Sequence, residues 1–302
     1  MSDSPRYRGR FAPSPTGPLH FGSLVAALGS YLQARSQGGE WLVRIEDIDP
    51  PREVPGAADA ILKALETLGL HWDGPILYQS HRSAHYEAIL HRMAEGHLLY
   101  ACRCSRRDLM AQSRRGPSGW IYPGTCRTKG YPAGPNTALR VVTHDRPIQF
   151  EDRLQGLCSQ VVASEVGDFV VRRADGLIAY QLAVVIDDAD QGITEVVRGC
   201  DLLDSTPRQI HLQQLLGFPT PRYLHLPVAV NRAGEKLSKQ TGARPLDLKR
   251  PAVELARALA FLGHPVPGSL TAEAPGTLLD WAVRTWHAEN VPPLRAIPVE
   301  GD

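Results

Sequence analysis

Long apolar runs are missing from this sequence. The best candidate, residues 24–32, is broken by Gly29 and Ser30 and falls short of the 18 or more residues of a membrane-spanning helix. The first ten residues are polar and lack the apolar centre of a secretory leader, so a soluble cytoplasmic protein with no membrane partner is expected. An excess of one charge is missing too. With 33 basic and 32 acidic residues the net charge is +1, and bulk charge predicts no polyanionic partner. Cysteine is scarce. There are five, an odd number, and three fall between 102 and 126, which points to metal ligation rather than a disulfide framework. Cys158 and Cys200 are expected to sit reduced in the core. No internal repeat is visible.

What is present suffices for a real core: 43% of residues are apolar and 22% charged, and the 302 residues allow two domains or one large domain with an insertion. The 27 glycines and 25 prolines imply many turns. Residues 6–12 read as a strand entering a turn-rich loop, and Phe21, Leu24, Val25, Leu28, Tyr31 and Leu32 are spaced as a helix from near His20 to Gly38-Gly39. A short strand at 41–45 and a helix over 54–68, closed by Gly69, follow. Strand, helix, strand, helix favours an α/β fold with a doubly wound parallel sheet, whose ligands bind beyond the carboxyl ends of the strands. Strands are also read at 138–143, 168–172, 193–198 and 223–230. The apolar run 182–186 reads as a strand leading into Asp187-Asp188-Ala189-Asp190, acids expected to face solvent or pair with basic residues rather than cage Mg²⁺. Helices are read at 206–216, 253–262 and 278–287.

Regularity fails over 102–135. This segment is too poor in apolar residues to fold unaided and needs a staple. It is also locally basic, with Arg103, Arg106, Arg107, Arg114, Arg115, Arg127 and Lys129 against the single acid Asp108. Cys102, Cys104 and Cys126 supply three thiols, and thiolates favour tetrahedral zinc. General chemistry nominates His97 or His144 as the fourth ligand.

Two distant pieces carry the chemistry. Near the start stands Arg10-Phe-Ala-Pro-Ser-Pro-Thr-Gly-Pro-Leu-His20-Phe21-Gly22-Ser23, and late in the chain Glu235-Lys236-Leu237-Ser238-Lys239-Gln240. A strand–loop–helix junction with His20 and Gly22 at the helix start lets a nucleotide phosphate approach backbone N–H groups and the positive helix end. Two lysines three apart on a later loop can then meet the charge that builds on departing pyrophosphate. Either half alone is weak evidence.

Together they resemble the His-Ile-Gly-His and Lys-Met-Ser-Lys-Ser signatures of class I aminoacyl-tRNA synthetases, with Ser23 and Gln240 as departures. Arg10-Phe-Ala-Pro-Ser-Pro-Thr-Gly, Arg44-Ile-Glu46-Asp-Ile-Asp and Val197-Arg198-Gly-Cys-Asp-Leu-Leu are similar to the glutamyl branch. Only residues 240–302 follow Lys239, too few for the helical anticodon-binding region of a full glutamyl enzyme. The chain therefore resembles the short members of that branch, which attach glutamate to the cyclopentenediol of queuosine in the anticodon of tRNA(Asp). The phrases Leu19-His-Phe-Gly-Ser-Leu, the run from Arg44 to Arg52, and His225-Leu-Pro-Val-Ala are also similar to these short members.

The resemblance implies a Rossmann-type catalytic region over 1–101 and 136–245, a zinc insertion at 102–135 and a short helical segment at 246–302, in a monomer. It implies that Arg10, Glu46, Tyr180 and Arg198 bind glutamate against a wall of Phe11, Ala12, Pro13 and Ser14, with the division of carboxylates between the arginines left open. It implies His20, Gly22 and Lys239 at ATP, with His20, Lys236 and Lys239 catalytic and Mg²⁺ arriving with ATP. Structural Zn²⁺ would be held by Cys102, Cys104, Cys126 and the phenolate of Tyr122. Glutamate would first attack the α-phosphorus of ATP without tRNA, releasing pyrophosphate, and a queuosine hydroxyl would then take the glutamyl group. Alternatives are an atypical enzyme charging the 3′ end of tRNA, and a catalytically silent tRNA-binding paralogue.

Overall fold

A computed structural model describes residues 6–116, 119–237 and 244–299. The first strand, β1 (Arg8–Phe11), runs into a loop with three prolines and then α1 (Phe21–Ser36), whose buried Phe21, Leu24, Val25, Leu28 and Leu32 share one face. β2 (Glu40–Ile45) returns parallel to β1, with Arg8 opposite Glu40 and Phe11 opposite Val43. After α2 (Ala57–Thr67), the short β3 (Leu77–Tyr78) pairs parallel with β2. The expected alternation of strand and helix is therefore present.

α3 (Ser83–Glu95), β4 (Leu99–Cys102), α4 (Arg106–Gln112) and the hairpin of β5 (Arg114–Gly116) with β6 (Gly119–Ile121) come next. Then follow β7 (Ala138–Val141), the antiparallel pair β8 (Ile148–Asp152) and β9 (Gly156–Gln160), α5 (Val162–Glu165) and β10 (Val170–Arg172). β10, β7 and β4 form a small antiparallel sheet in that order. The chain continues through α6 (Tyr180–Asp190), β11 (Glu195–Gly199), α7 (Thr206–Leu216), β12 (Arg222–Leu226), β13 (Val228–Val230), α8 (Pro251–Phe261), α9 (Pro275–Thr285) and β14 (Ala296–Pro298).

β11 returns to lie beside β1, where Thr194 N donates to Arg8 O at 2.9 Å and Arg8 N to Thr194 Oγ1 at 2.9 Å. β12 pairs parallel on its far side, so the sheet β3-β2-β1 and the sheet β11-β12-β8-β9 adjoin where β11 packs along β1. β8 joins the outer edge of β12 through Tyr223 and Asp152. Alternate residues feed two cores: Val197 and Leu224 face α1, α8 and α9, while Val196 and Tyr223 face α3, α6 and α7. Helices thus cover both faces of a parallel sheet, and the order reverses between β1 and β11. α1 crosses this point so closely that a Cβ on Gly29 would meet Leu226 Cδ1 at 2.5 Å.

Three expectations need correction. The run 182–186 is helical, within α6, because every residue from Leu182 to Asp188 is buried and helix–helix packing overrides the strand preference of Val184-Val185-Ile186. The strand read over 223–230 is broken at Pro227, which cannot donate to a ladder, into β12 and β13. Cys200 is buried, but Cys158 lies half-buried on β9 rather than in the core. Among the described residues no helix is long and apolar enough to cross a membrane.

Candidate active site

The carboxyl ends of β1, β2, β11 and β12 open into a pocket of about 690 Å³. Of the residues singled out for glutamate and ATP, Arg10, Phe11, Ala12, Pro13, Ser14, His20, Gly22, Glu46, Tyr180, Arg198 and Lys236 all line it. Ser238, Lys239 and Gln240 lie outside the described residues. The loop after β1 is pinned above β2, since Glu46 N donates to Pro13 O and Val54 N to Pro15 O. His20 caps α1, its Nδ1 accepting from Ser23 N at 3.3 Å, so the first turn of the helix faces the pocket. A Cβ at Gly22 would approach His20 Cε1 to 3.2 Å, so a larger residue would push on that ring.

Beneath the pocket lies a buried charge system. Arg10 Nε and Nη2 donate to Asp188 Oδ1 and Oδ2 at 3.1 and 3.4 Å. Arg44, wholly buried, reaches Asp188 Oδ1 at 2.7 Å, Gln191 Oε1 at 2.7 Å and Glu46 Oε1 at 3.5 Å. Asp187 accepts from Gln79, Arg82 and Tyr86. The acids of 187–190 therefore pair with basic residues, and Asp187 and Asp188 do so away from solvent. Burial alone would raise Asp188, but Arg10 and Arg44 outweigh it and hold its carboxyl below the ordinary value. Glu46 goes the other way. Burial, with help from Asp187 and Asp188, pushes it up to about 7 against the pull of Arg44 and Arg10. Among the described residues its Oε1 finds no hydrogen-bond partner, a buried acceptor suited to an ammonium group.

Arg198 differs from Arg10. It is buried, and no carboxylate among the described residues pairs with it directly. Its Nε donates to His225 Nε2 at 3.0 Å, Nη2 to Thr206 Oγ1 at 2.9 Å and Nη1 to Tyr180 Oη at 3.4 Å. A guanidinium held this way offers positive charge to an incoming carboxylate. At the mouth, Lys236 Nζ lies 2.6 Å from Asp201 Oδ2. Sequence reasoning gave no site role to Arg52, Asp201 and Leu202, which share the pocket, nor to Arg44, Asp188, Thr206 and His225, which support it. Arg44 carried a usable signal, since it lies on β2 two residues before Glu46, which follows the strand's end, and alternate residues of an extended chain share a face.

The thiols form a separate cluster. Sγ atoms of Cys102, Cys104 and Cys126 all lie within 4.8 Å of one another, with Cys104 and Cys126 at 3.5 Å. Tyr122 Oη lies 3.5 Å from Cys102 Sγ and 3.9 Å from Cys104 Sγ. Four thiolates around zinc have S···S edges of about 3.8 Å, so this donor set could hold a metal ion. Neither His97, in a turn after α3, nor His144, edge-on to His211, belongs to the cluster. The Arg140 guanidinium sits 3.7 Å from the centre of the Tyr122 ring, while burial and the hydrogen bonds with Cys102 and Cys126 push the Tyr122 phenol well above its ordinary value. Burial and neighbouring thiols push Cys104 up to about 12, whereas hydrogen bonds, chiefly from Tyr122, overcome burial and bring Cys126 down to about 7.

Sheet order, helix start and pocket define a nucleotide-binding α/β domain of the class I synthetase type. The family described as tRNA synthetases class I (E and Q), catalytic domain, matches residues 6–250. The chain is 58% identical to a glutamyl-Q tRNA(Asp) synthetase of Dechloromonas aromatica over 95% of its own length and 96% of that protein's. It is 52% identical to a glutamyl-Q tRNA(Asp) synthetase of Neisseria meningitidis serogroup C over 97% and 99%. A solved glutamate tRNA ligase of Elizabethkingia meningosepticum, in complex with its amino acid, superposes with a TM-score of 0.80 at 26% identity, covering 96% of this chain and 66% of that one. The chain belongs to the class I tRNA synthetase family, and within it to the glutamyl-Q tRNA(Asp) synthetases. It is a ligase.

Proposed function

We propose that this enzyme activates glutamate with ATP and Mg²⁺ without tRNA, then transfers the glutamyl group to the cyclopentenediol of queuosine in the anticodon of tRNA(Asp). Glu46 takes the ammonium group; Arg10, Arg198 and Tyr180 take the carboxylates against the wall of Phe11, Ala12, Pro13 and Ser14. A carboxylate oxygen then forms a bond to the α-phosphorus as the bond to pyrophosphate breaks. His20, Gly22 and the amides opening α1 hold the phosphates, and Lys236 and Lys239 follow the charge onto the leaving group. A queuosine hydroxyl next attacks the glutamyl carbonyl, and AMP leaves with the bonding electrons. The same reading divides the chain into a catalytic region over 1–101 and 136–245, a zinc insertion at 102–135 held by Cys102, Cys104, Cys126 and Tyr122, and a helical segment at 246–302.

One observation carries this reading: residues nominated from four distant segments meet in a single pocket at the point where the strand order reverses. The test is incubation with ATP, labelled glutamate, and tRNA(Asp) with or without queuosine, followed by nuclease mapping of the label. Label on queuosine alone is expected. Label on the terminal ribose, or equal labelling of queuosine-free tRNA, would reject the acceptor while leaving the activation chemistry standing.

A further inference from the structure

Behind Arg198, away from the pocket, a buried chain crosses three strands. Arg198 of β11 is directly opposite His225 of β12, and Asp152 ends the neighbouring β8. Asp152 and His225 are both wholly or almost wholly buried, and neither lines the pocket. Asp152 Oδ1 accepts from the backbone N–H groups of Gln155 (3.0 Å), Leu154 (3.1 Å) and His225 (3.2 Å). Its other oxygen, Oδ2, lies 2.6 Å from His225 Nδ1. On the opposite side of the ring, Nε2 faces Arg198 Nε at 3.0 Å and Thr206 Oγ1 at 3.3 Å.

A guanidinium can only donate, so this contact needs a bare lone pair on Nε2 and therefore the proton on Nδ1. A carboxylate can only accept, so Asp152 stabilises that arrangement. Burial, and the positive charge of Arg198, bring His225 down to about 4 despite Asp152, so the ring is neutral near pH 7. Burial would raise Asp152, but its hydrogen bonds hold it below the ordinary value, so it is ionised. The charge of Asp152 thus reaches Arg198 through the imidazole rather than by direct pairing. That leaves the pocket-facing edge of the guanidinium unneutralised, in contrast to Arg10 on Asp188.

We propose that Asp152, acting through His225, is a positioning residue for glutamate: it sets the histidine tautomer that orients Arg198. The proposal rests on the glutamate reading of the pocket. It predicts that the carboxylate matters for its inability to donate as well as for its shape.

Asp152→Asn is the informative change. If the amide oxygen keeps the three backbone donors, the NH₂ group faces His225 Nδ1 and drives the ring proton to Nε2, against Arg198. Loss of one charge-assisted contact is expected to raise the glutamate KM in pyrophosphate exchange by about tenfold to a hundredfold. The KM for ATP and the thermal midpoint should change little. His225→Gln supplies the control, since an amide oxygen placed where Nε2 stood accepts from Arg198 with no tautomer to set. In that background Asp152→Asn should add less than about twofold. A merely structural Asp152 would cost the same in both backgrounds, and that result overturns the proposal.

The tautomer can also be read without any fold-changing variant, from long-range ¹H–¹⁵N spectra of the unaltered chain, with His225→Gln assigning the resonance. A proton on Nδ1 supports the proposal and one on Nε2 overturns it. Glutamate binding followed by calorimetry separates the two layers of argument. A chain that binds no glutamate rejects the pocket reading and the proposal with it, whereas normal binding by Asp152→Asn rejects the positioning role alone.

Discussion

The two ends of this molecule solve the problem of holding polar groups in opposite ways. At the pocket, Arg10, Arg44, Asp187 and Asp188 are buried between two apolar cores, and each charge has a partner from another element. In the insertion there is almost no core to bury anything in. The cluster there has Cys102, Tyr122 and Cys126 as its buried members, with Tyr100, Cys104 and Leu109 packed around them. Even its lone acid, Asp108, serves locally, closing a capping box with Ser105 at the start of α4. Pocket geometry is therefore fixed by folding of the sheet, whereas on the proposed zinc reading the insertion depends on what joins its thiols. Disturbing each should leave the other standing.

The largest expected effect is metal removal. Structural zinc contributes on the order of 10 kcal/mol to small folds that cannot form without it, so chelation or Cys126→Ser should unfold 102–135 and open its arginines to trypsin. Purified protein should hold about one zinc per chain. Glutamate-dependent pyrophosphate exchange should persist within about threefold, because none of residues 102–135 lines the pocket. Joint loss of exchange and of protease resistance would erase the contrast between the two regions. Next comes Arg44→Ala, which leaves Asp188 paired with Arg10 alone and takes away the buried cation beside Glu46, and should lower the unfolding free energy by about 3–5 kcal/mol. Denaturant titration measures it. Arg44→Lys should rescue only part, since one ammonium cannot span both Asp188 and Gln191. A loss below about 1 kcal/mol would mean that water already reaches this cluster.

Smaller are two kinetic effects that follow from the proposed function. Lys239→Ala should lower kcat for activation by about 10²–10³ while leaving the glutamate KM near its starting value, since the charge acts on developing pyrophosphate. Arg198→Ala should do the reverse and raise the glutamate KM. Equal changes of both parameters in both variants would contradict that division of labour.

Much of this was legible in the chain itself. The period of apolar residues in 21–32 gave α1, and the pairing of a helix-start motif with a late lysine motif nominated a pocket before any geometry was known. What stayed hidden were long-range charge partners. Asp188 in isolation is one acid among three, and only the packing of α6 against β1 and β2 brings it to Arg10 and Arg44. The same holds for Asp152 and His225, 73 residues apart and joined by strand register. Segment 182–186 misled because β-branched residues carry a strand preference that burial on every side of a helix overrides. Tyr122, by contrast, was reached only through resemblance, since spacing alone does not separate it from a histidine.

The smallest expected effect follows from a pocket carboxylate that lacks a full set of partners among the described residues. Glu46 is buried, stands near 7, and its Oε1 has no hydrogen bond to them. Its folded value lies above the unfolded one, so its contribution to stability is fully present below about pH 4.5 and is lost as pH rises through about 7. Glutamate reverses this balance, because an ammonium favours the ionised form. Below pH 7 binding must first expel a proton, and the glutamate KM should rise about tenfold per pH unit, about 1.4 kcal/mol each, and level off above pH 7. The rise in thermal midpoint on adding glutamate should accordingly be larger at pH 8 than at pH 6. Glu46→Gln separates this group from others that titrate in the same window: its KM should be high and flat across the range. A wild-type KM that is constant between pH 6 and 8 would mean that Glu46 is already ionised in the empty pocket. The pocket would then match the rest of the buried charge system, with every group paired before substrate arrives.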